Sequence, residues 1–288
     1  MPAIRTEDDN GVRNLIFCRP DEYNTITLEL RGQLEAALEA ADADPKVKVV
    51  LITAEGPAFC AGFGLDWSTA AQAAAESQIS GEPGSKRVWD SVADMRMIGR
   101  FASTFAKLHS ISKPTLAAVQ GWCIAGGTDM ILNADLIIAS ESARFGYPPA
   151  RVWGTPEAPW VWVARLGLER AKRYLFTGDE ITAREAAEMG MILECVPDDQ
   201  LADRAHELAH RMALMPLNQL QMMKLLLNDV ARNMYAPEAS RTLGTLFDGV
   251  ARHTQEGLDW VSRAMEVGFR EAVRERDDPF GDYGSRKD

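Results

Sequence analysis

The chain has few cysteines, no excess of positive charge and no long apolar run. Only four of its 288 residues are cysteines, and none forms a CxxC pair, so neither a disulfide framework nor a thioredoxin-like redox motif is indicated. Forty-two acidic residues outnumber 31 basic ones and give a net charge of −11. This balance argues against broad nucleic-acid binding, because many phosphates would need neutralising. No apolar stretch approaches the roughly 20 residues that span a bilayer.

The rest of the composition is that of a globular protein with an ordinary core. Its apolar content of 46% over 288 residues suits one large domain, or one domain with a smaller appendage. The opening segment MPAIRTEDDNG has neither the basic head nor the apolar run of a signal peptide. We therefore expect a cytoplasmic protein with reduced cysteines and with no membrane or nucleic-acid partner.

The order of the segments predicts an α/β core followed by helices. Strand-like runs at residues 12–18, 47–54 and 116–120 alternate with helical patterns such as that at 27–41, which favours crossover connections over hairpins. Segment 68–85 is predicted to be a loop or a frayed helix. We assign residues 1–200 to the core and 201–288 to a helical C-terminal module. Apolar side chains in that module exceed what a small bundle would bury, which predicts packing on another subunit: Met222, Leu226, Leu243, Leu246 and Phe247.

Two glycine-centred turns carry most of the chemical information. GPAFCAGFG at 56–64 and GWCIAGGTDM at 121–130 each follow an apolar run and lead toward a helical pattern. The first N–H groups of a helix have no partner within it, and glycine permits close approach of another molecule. Two such turns facing each other would hold one negatively charged oxygen, which is the chemistry of an oxyanion hole.

In this order the motifs resemble the enoyl-CoA hydratase/isomerase (crotonase) superfamily. GPAFCAGFG is followed by LDW, and the second turn lies within KPTLAAVQGWCIAGGTDMILNADLIIASESARFG. The likeness extends over nearly the whole chain through three further segments: CRPDEYNTIT, FTGDEITAREAAEMGMILECVP and the helix after Pro216. The resemblance implies a spiral core of ββα units and a C-terminal module that forms trimers or dimers of trimers. It implies an acyl-CoA substrate and no further cofactor, since coenzyme A belongs to the substrate.

The resemblance also assigns roles to individual residues. The peptide N–H groups of Phe63 and Gly126 are expected to hold the thioester oxygen as it becomes an enolate. Asp129 aligns with the family's first catalytic glutamate and is the expected general base, unless it only stabilises the early turn of its helix. Pro149 stands where the second glutamate would be, so Glu157 is the nearest carboxylate. Its alternative role is to complement the dipole of a helix that begins after Pro156.

Residues around these turns are expected to bind the rest of the substrate. The predicted substrate and coenzyme A contacts are Glu22, Tyr23, Phe59, Ala61, Gly62, Trp122 and Gly127, with Arg151 as a cation near the acyl group. Aromatic side chains crowd the same loops and suggest a wide apolar pocket for a bulky, cyclic or aromatic acyl group: Phe63, Trp67, Trp122, Trp153, Trp160 and Trp162.

A competing motif is HELAH at 206–210, which matches the HExxH of zinc peptidases. Two histidines one helical turn apart bind the metal there, and the glutamate activates water. In this chain the motif lies in an amphipathic stretch, and no further ligand signature follows it. We therefore predict no metal site.

Together these observations predict an enoyl-CoA hydratase that works through an enolate of the thioester. Double-bond isomerisation needs only one proton shuttle, and hydrolysis of a carbon–carbon bond in a cyclic substrate would also suit an aromatic pocket. From another functional class, the chain could be a catalytically weak protein that binds CoA esters.

Overall fold

The computed structural model describes residues 2–63 and 90–283. Its largest element is a six-stranded sheet in the order β1-β2-β3-β5-β7-β10. The first pair is antiparallel and the other pairs are parallel. The strands are β1 Ile4–Asp9, β2 Val12–Phe17, β3 Val49–Ala54, β5 Thr115–Val119, β7 Leu136–Ser140 and β10 Glu194–Val196. The predicted α/β class is confirmed, whereas Trp67 and the predicted loop at 68–85 lie outside the described residues.

A second, four-stranded sheet continues the first. It contains β4 Ala58–Cys60, β6 Trp122–Ile124, β8 Arg144–Gly146 and β9 Ile181–Thr182, in the order β4-β6-β8-β9. Strands β3, β5 and β7 of the large sheet are each followed directly by a short strand of the small one. Because β4, β6 and β8 are parallel neighbours, the turns that leave β4 and β6 come to lie side by side. This repeat is the ββα spiral that the sequence predicts.

Both faces of the large sheet are buried, which explains why its central strands are apolar at successive positions. One face, with Val50 and Ile52, belongs to the main core, and the other, with Leu51 and Leu116, packs against a C-terminal helix. The α-helices among the described residues up to 188 are α1 Leu28–Ala43, α2 Ser91–Ser110, α3 Gly126–Ile131, α4 Pro159–Leu166, α5 Leu168–Thr177 and α6 Ala183–Glu188.

Helix α1 shows how local sequence sets one of these elements. The Thr27 hydroxyl accepts a hydrogen bond from the Leu30 N–H at 3.1 Å, which caps the helix. Leu30, Leu34 and Leu38 then recur on one face and are buried. The helix predicted at 27–41 is confirmed.

The C-terminal helices are α7 Leu201–Ala213, α8 Leu217–Tyr235, α9 Pro237–Arg252, α10 Gln255–Val267 and α11 Phe269–Asp277. Helix α7 covers the second face of the sheet, with small side chains that allow close approach, and α9 packs along α2. Five apolar residues of this module were predicted to pack on another subunit. Leu246 is half-buried, and the other four are about half exposed or more: Met222, Leu226, Leu243 and Phe247. Within the described residues, no helix is both long and apolar enough to cross a membrane.

Leu116→Ala tests the contact between α7 and the sheet. The side chain is fully buried there, so its truncation should lower the free energy of unfolding by about 2–5 kcal/mol. The measurement is urea denaturation followed by circular dichroism. Leu168→Ala is the matched control, because Leu168 is 58% exposed, and an equal loss in both variants would contradict the packing described.

Candidate active site

The turns after β4 and β6 touch each other through glycines that leave no room for a side chain. A Cβ added to Gly62 would lie 2.9 Å from the Ala125 Cβ and 3.4 Å from the Gly126 nitrogen. One added to Gly127 would lie 2.3 Å from the Cys60 carbonyl oxygen, closer than carbon and oxygen can approach without bonding. The two turns that the sequence predicts to face each other are therefore in direct contact.

The backbone at this contact presents unpaired N–H groups. Ala125 adopts a positive φ of 54°, and α3 begins at the next residue, Gly126, whose N–H has no partner within the helix. On the other turn, the Ile26 N–H donates to the Gly62 oxygen at 2.8 Å. Neither the Phe63 nor the Gly126 N–H donates to any residue in the described ranges. The two expected donors thus lie on adjoining turns.

The Asp129 carboxylate lies one turn into α3 and is fully buried. Its Oδ1 accepts a hydrogen bond from the Trp162 indole N–H at 2.6 Å, and its Oδ2 accepts one from the Glu157 backbone N–H at 2.7 Å. Burial raises the pKa of Asp129 to about 7, although these two hydrogen bonds act in the opposite direction. A carboxylate held rigidly with a pKa near neutrality is suited to exchange protons with a ligand.

Glu157 brings a second carboxyl group to the same place. Its side chain is almost fully buried, and its Oε2 has no hydrogen-bond partner among the described residues. Burial, with the neighbouring charges of Asp129 and Asp248, raises its pKa well above the ordinary value. Helix α4 begins at Pro159, so the alternative role of Glu157 in the first turn after Pro156 is wrong. The two carboxyl groups converge in one buried environment.

Helix α9 closes this environment from the C-terminal part of the chain. A Cβ on Gly244 would lie 2.7 Å from the Glu157 carbonyl oxygen. One turn further, Asp248 accepts from Arg252 at 3.1 Å, and Arg252 also pairs with the buried Asp94 of α2 at 2.8 Å. Sequence reasoning missed these three charged residues. Their burial could have been predicted from the sequence, because they stand among apolar residues of amphipathic helices.

The residues predicted to contact coenzyme A fall in two places. Glu22 and Tyr23 are exposed and adjoin Ala61 and Gly62, because the Ala61 N–H donates to the Tyr23 oxygen at 3.1 Å. Phe59 is fully buried, and its N–H donates to the Gln120 oxygen at 3.0 Å, so the predicted contact of Phe59 with coenzyme A is not supported. Gly127 packs on the Cys60 backbone, whereas the Trp122 ring lies 6.4 Å from that of Tyr283 in the C-terminal segment.

Arg151 is not placed as the sequence predicts. Its guanidinium group pairs with Asp282 at 2.7 Å, with Asp277 at 2.9 Å and with Asp179 at 3.4 Å, and it lies over the Phe280 ring. A cation held by three carboxylates anchors the C-terminal segment to the core. This placement argues against a role beside the acyl group.

With this geometry in place, comparisons with known proteins identify the family. The family model for enoyl-CoA hydratase/isomerase matches residues 7–261. The chain belongs to this family. An enoyl-CoA hydratase of Mycobacterium tuberculosis is 33% identical over 66% of this chain and 67% of its own length, and the 1,2-epoxyphenylacetyl-CoA isomerase of Escherichia coli is 27% identical over 81% and 84%. A crystal structure of an enoyl-CoA hydratase from Mycobacterium smegmatis aligns with a TM-score of 0.88 at 43% identity, over 99% of this chain and 96% of that one.

Three of the six predicted aromatic residues, all tryptophans, pack against other side chains of this family member. Trp153 packs against Trp260 with ring centroids 5.0 Å apart, and Trp160 lies 6.3 Å from Tyr235. Trp162 is buried and bonded to Asp129. Trp153 and Trp160 join the C-terminal helices to the core, and Trp162 belongs to the core itself, so these three do not support the wide aromatic pocket.

The HExxH segment has an ordinary place on α7. Its His206 and His210 rings lie 6.0 Å apart, and Glu207 pairs with Arg204 at 2.8 Å. No group of three or more His, Cys, Asp or Glu side chains in residues 2–63 and 90–283 is arranged to hold a metal ion. The four cysteines are free thiols, as predicted; Cys60 and Cys123 are buried, whereas Cys18 and Cys195 are only partly buried.

Gly127→Ala tests the contact between the turns. The added methyl group would displace the Cys60 carbonyl, so the free energy of unfolding should fall by at least about 1–3 kcal/mol. The measurement is chemical denaturation. Gly32→Ala is the control, because its methyl group would meet nothing within 4 Å and should stabilise helix α1 by about 0.5–1 kcal/mol. Equal stability of Gly127→Ala and the wild type would contradict the close approach.

Proposed function

We propose that this family member is an enoyl-CoA hydratase with Asp129 and Glu157 as its acid–base pair. The observation that carries the proposal is their convergence: the Glu157 N–H binds the Asp129 carboxylate at 2.7 Å, and both side chains are buried. Two buried carboxyl groups with raised pKa values in one site can serve as a general base and a general acid.

The thioester oxygen is assigned to the Phe63 and Gly126 N–H groups. Their turns touch, and neither group has a partner in the described part of the chain. Fixed donors stabilise the negative charge that develops on this oxygen as the double bond is attacked, and loss of one such donor typically costs about 10²–10³ in turnover. The CoA portion is assigned to the surface beside Tyr23 and Ala61, where backbone and side chains are accessible.

Water adds across the double bond in a balanced step. Asp129 takes a proton from water, the hydroxide forms a bond to the β-carbon, and the double bond's electrons move onto the thioester as an enolate. Glu157, protonated because burial and neighbouring charges raise its pKa, gives its proton to the α-carbon. The catalytic groups regain their initial states when Asp129 passes its proton to Glu157, so the net change is addition of one water.

Isomerisation of the double bond is the second candidate. Both Asp129 oxygens already accept hydrogen bonds from protein donors, which leaves less capacity for orienting water, and Pro149 stands where the family's second glutamate would be. A shuttle that moves one proton between two carbons needs no bound water. The Escherichia coli relative is named as an isomerase.

The exposed apolar side chains of α8 support the proposal of a homotrimer or a hexamer of two trimers. Met222, Leu226 and Met234 are 47%, 62% and 66% exposed, and contiguous exposed apolar surface is typical of a subunit interface.

Mass spectrometry in D₂O distinguishes the candidate reactions. The enzyme is incubated with a panel of linear, cyclic and aromatic enoyl-CoA esters, and we expect a product heavier by one water. Asp129→Asn and Glu157→Gln should each lower turnover by about 10²–10⁴, with circular dichroism as the control for folding. Deuterium uptake without added water would assign isomerisation instead. Tight binding without turnover, unchanged in Asp129→Asn, would indicate a CoA-ester binding protein.

The proposed roles also predict the pH profile of kcat/KM. A base must be ionised to act, so the rate should fall as the pH drops through about 7, where Asp129 becomes protonated. It should also fall at higher pH, where Glu157 loses its proton. Any residual activity of Asp129→Asn should lack the acid limb, and that of Glu157→Gln should lack the alkaline limb. An acid limb that persists in Asp129→Asn would assign it to another group.

A further inference from the structure

Helix α9 holds the chain segment that carries Glu157. A Cβ added to Gly244 would lie 2.6 Å from the Pro156 carbonyl oxygen and 2.7 Å from that of Glu157, so the helix packs directly on this backbone. The Thr155 hydroxyl donates to the Gly244 carbonyl oxygen at 3.2 Å. A hydrogen bond from the Thr155 backbone also reaches the Asp248 carboxylate, one turn further along α9. Three consecutive residues of the site are therefore fixed to one face of this helix.

Arg252 ties the same face of α9 to helix α2. Its Nε donates to the Asp248 Oδ2 at 3.1 Å, and its Nη2 donates to both carboxylate oxygens of Asp94, at 2.8 and 3.1 Å. The Asp94 side chain is fully buried, and that of Arg252 is 21% exposed. The N–H groups of a planar guanidinium point in fixed directions. Asp248 is therefore held by a residue that is itself anchored on another helix.

Ionisable groups on three elements surround Glu157. Asp129 lies on α3, Asp248 and Arg252 lie on α9, and Tyr147 follows β8. Burial raises the pKa of Glu157; the negative charges of Asp129 and Asp248 add to this effect, and the positive charge of Arg252 opposes it. Burial also raises the pKa of Asp129, and the charge of Asp248 adds to that effect. The Tyr147 hydroxyl stays neutral, because burial raises its pKa well above the ordinary value.

We propose that Arg252 is a positioning residue of the candidate active site: by holding Asp248, it fixes the Glu157 segment on α9 and balances the negative charge beside the two carboxyl groups. Arg252 acts through Asp248 and touches no ligand. This inference rests on the proposed function, in which Asp129 and Glu157 exchange protons with the substrate. A misplacement of about 1 Å can cost about 10²-fold in rate, so such a reaction needs the Glu157 segment to be fixed.

Two neutralising variants should move the pH profile of kcat/KM in opposite directions. D248N removes a negative charge that acts on both carboxyl groups, so the pKa of each should fall and both limbs should move to lower pH. R252Q removes the positive charge that opposes them, so the pKa of Glu157 should rise and the alkaline limb should move to higher pH. A purely structural role would not produce opposite shifts. In R252Q, kcat should also fall by about 10–10², with little change in KM.

Two further variants separate charge from geometry. R252K keeps the positive charge but not the planar fork of donors, so its alkaline limb should stay at the wild-type pH while its kcat falls. Arg270→Gln is the matched control, because Arg270 is exposed on α11, and its profile should equal that of the wild type. Circular dichroism reports on folding. D248N and R252K decide the question if R252Q does not fold.

Infrared titration of the ligand-free enzyme separates this inference from the proposed reaction. The bands of protonated carboxyl groups that disappear in Asp129→Asn and Glu157→Gln identify the two groups, and D248N should lower the pH at which each of them titrates. Unshifted bands and limbs in D248N, or limbs that move the same way in D248N and R252Q, would overturn the inference. Shifted bands in an enzyme whose turnover survives in Asp129→Asn and Glu157→Gln would confirm the balance of charge and overturn the proposed function.

Discussion

The contact between two glycine turns is the constraint on which the rest of the site depends. Gly62 and Gly127 approach the opposite turn so closely that no side chain fits, and this approach brings together the two turns that carry Phe63 and Gly126. The spiral of parallel strands produces the contact, since β4 and β6 are neighbours in the small sheet. The proposed oxyanion hole depends on fixed donors, and fixed donors require that the two turns cannot move apart.

Several buried carboxyl groups lie near this contact, and each needs a hydrogen-bond donor or a cation beside it. Asp129 is held by the Trp162 indole and the Glu157 N–H, and Asp94 and Asp248 share Arg252. Burial favours the neutral forms of Asp129 and Asp248, so the pKa values of these two carboxyl groups rise. The C-terminal helix α9 therefore contributes to the interior as well as to the surface, because its Asp248 and Arg252 are part of the buried network beside the candidate active site.

Much of the fold could be predicted from sequence patterns. The apolar runs predicted the central strands, and the helical pattern at 27–41 predicted α1. The glycine motifs predicted two turns that face each other, and the structure places these turns in contact. Other elements could not be predicted in this way. Pro156 and Pro159 are equally good first-turn residues, and only the packing of α4 decides that the helix begins at Pro159.

By itself, the sequence determined the α/β alternation, the family and the pair of turns, because these follow from local periodicity and from motifs a few residues long. Tertiary structure alone decided which distant groups meet. It brought Glu157 to Asp129, closed their environment with α9 and directed Arg151 to the C-terminal carboxylates. Such contacts depend on how whole helices and strands are placed relative to one another, and this placement cannot be predicted from the spacing of residues along the chain.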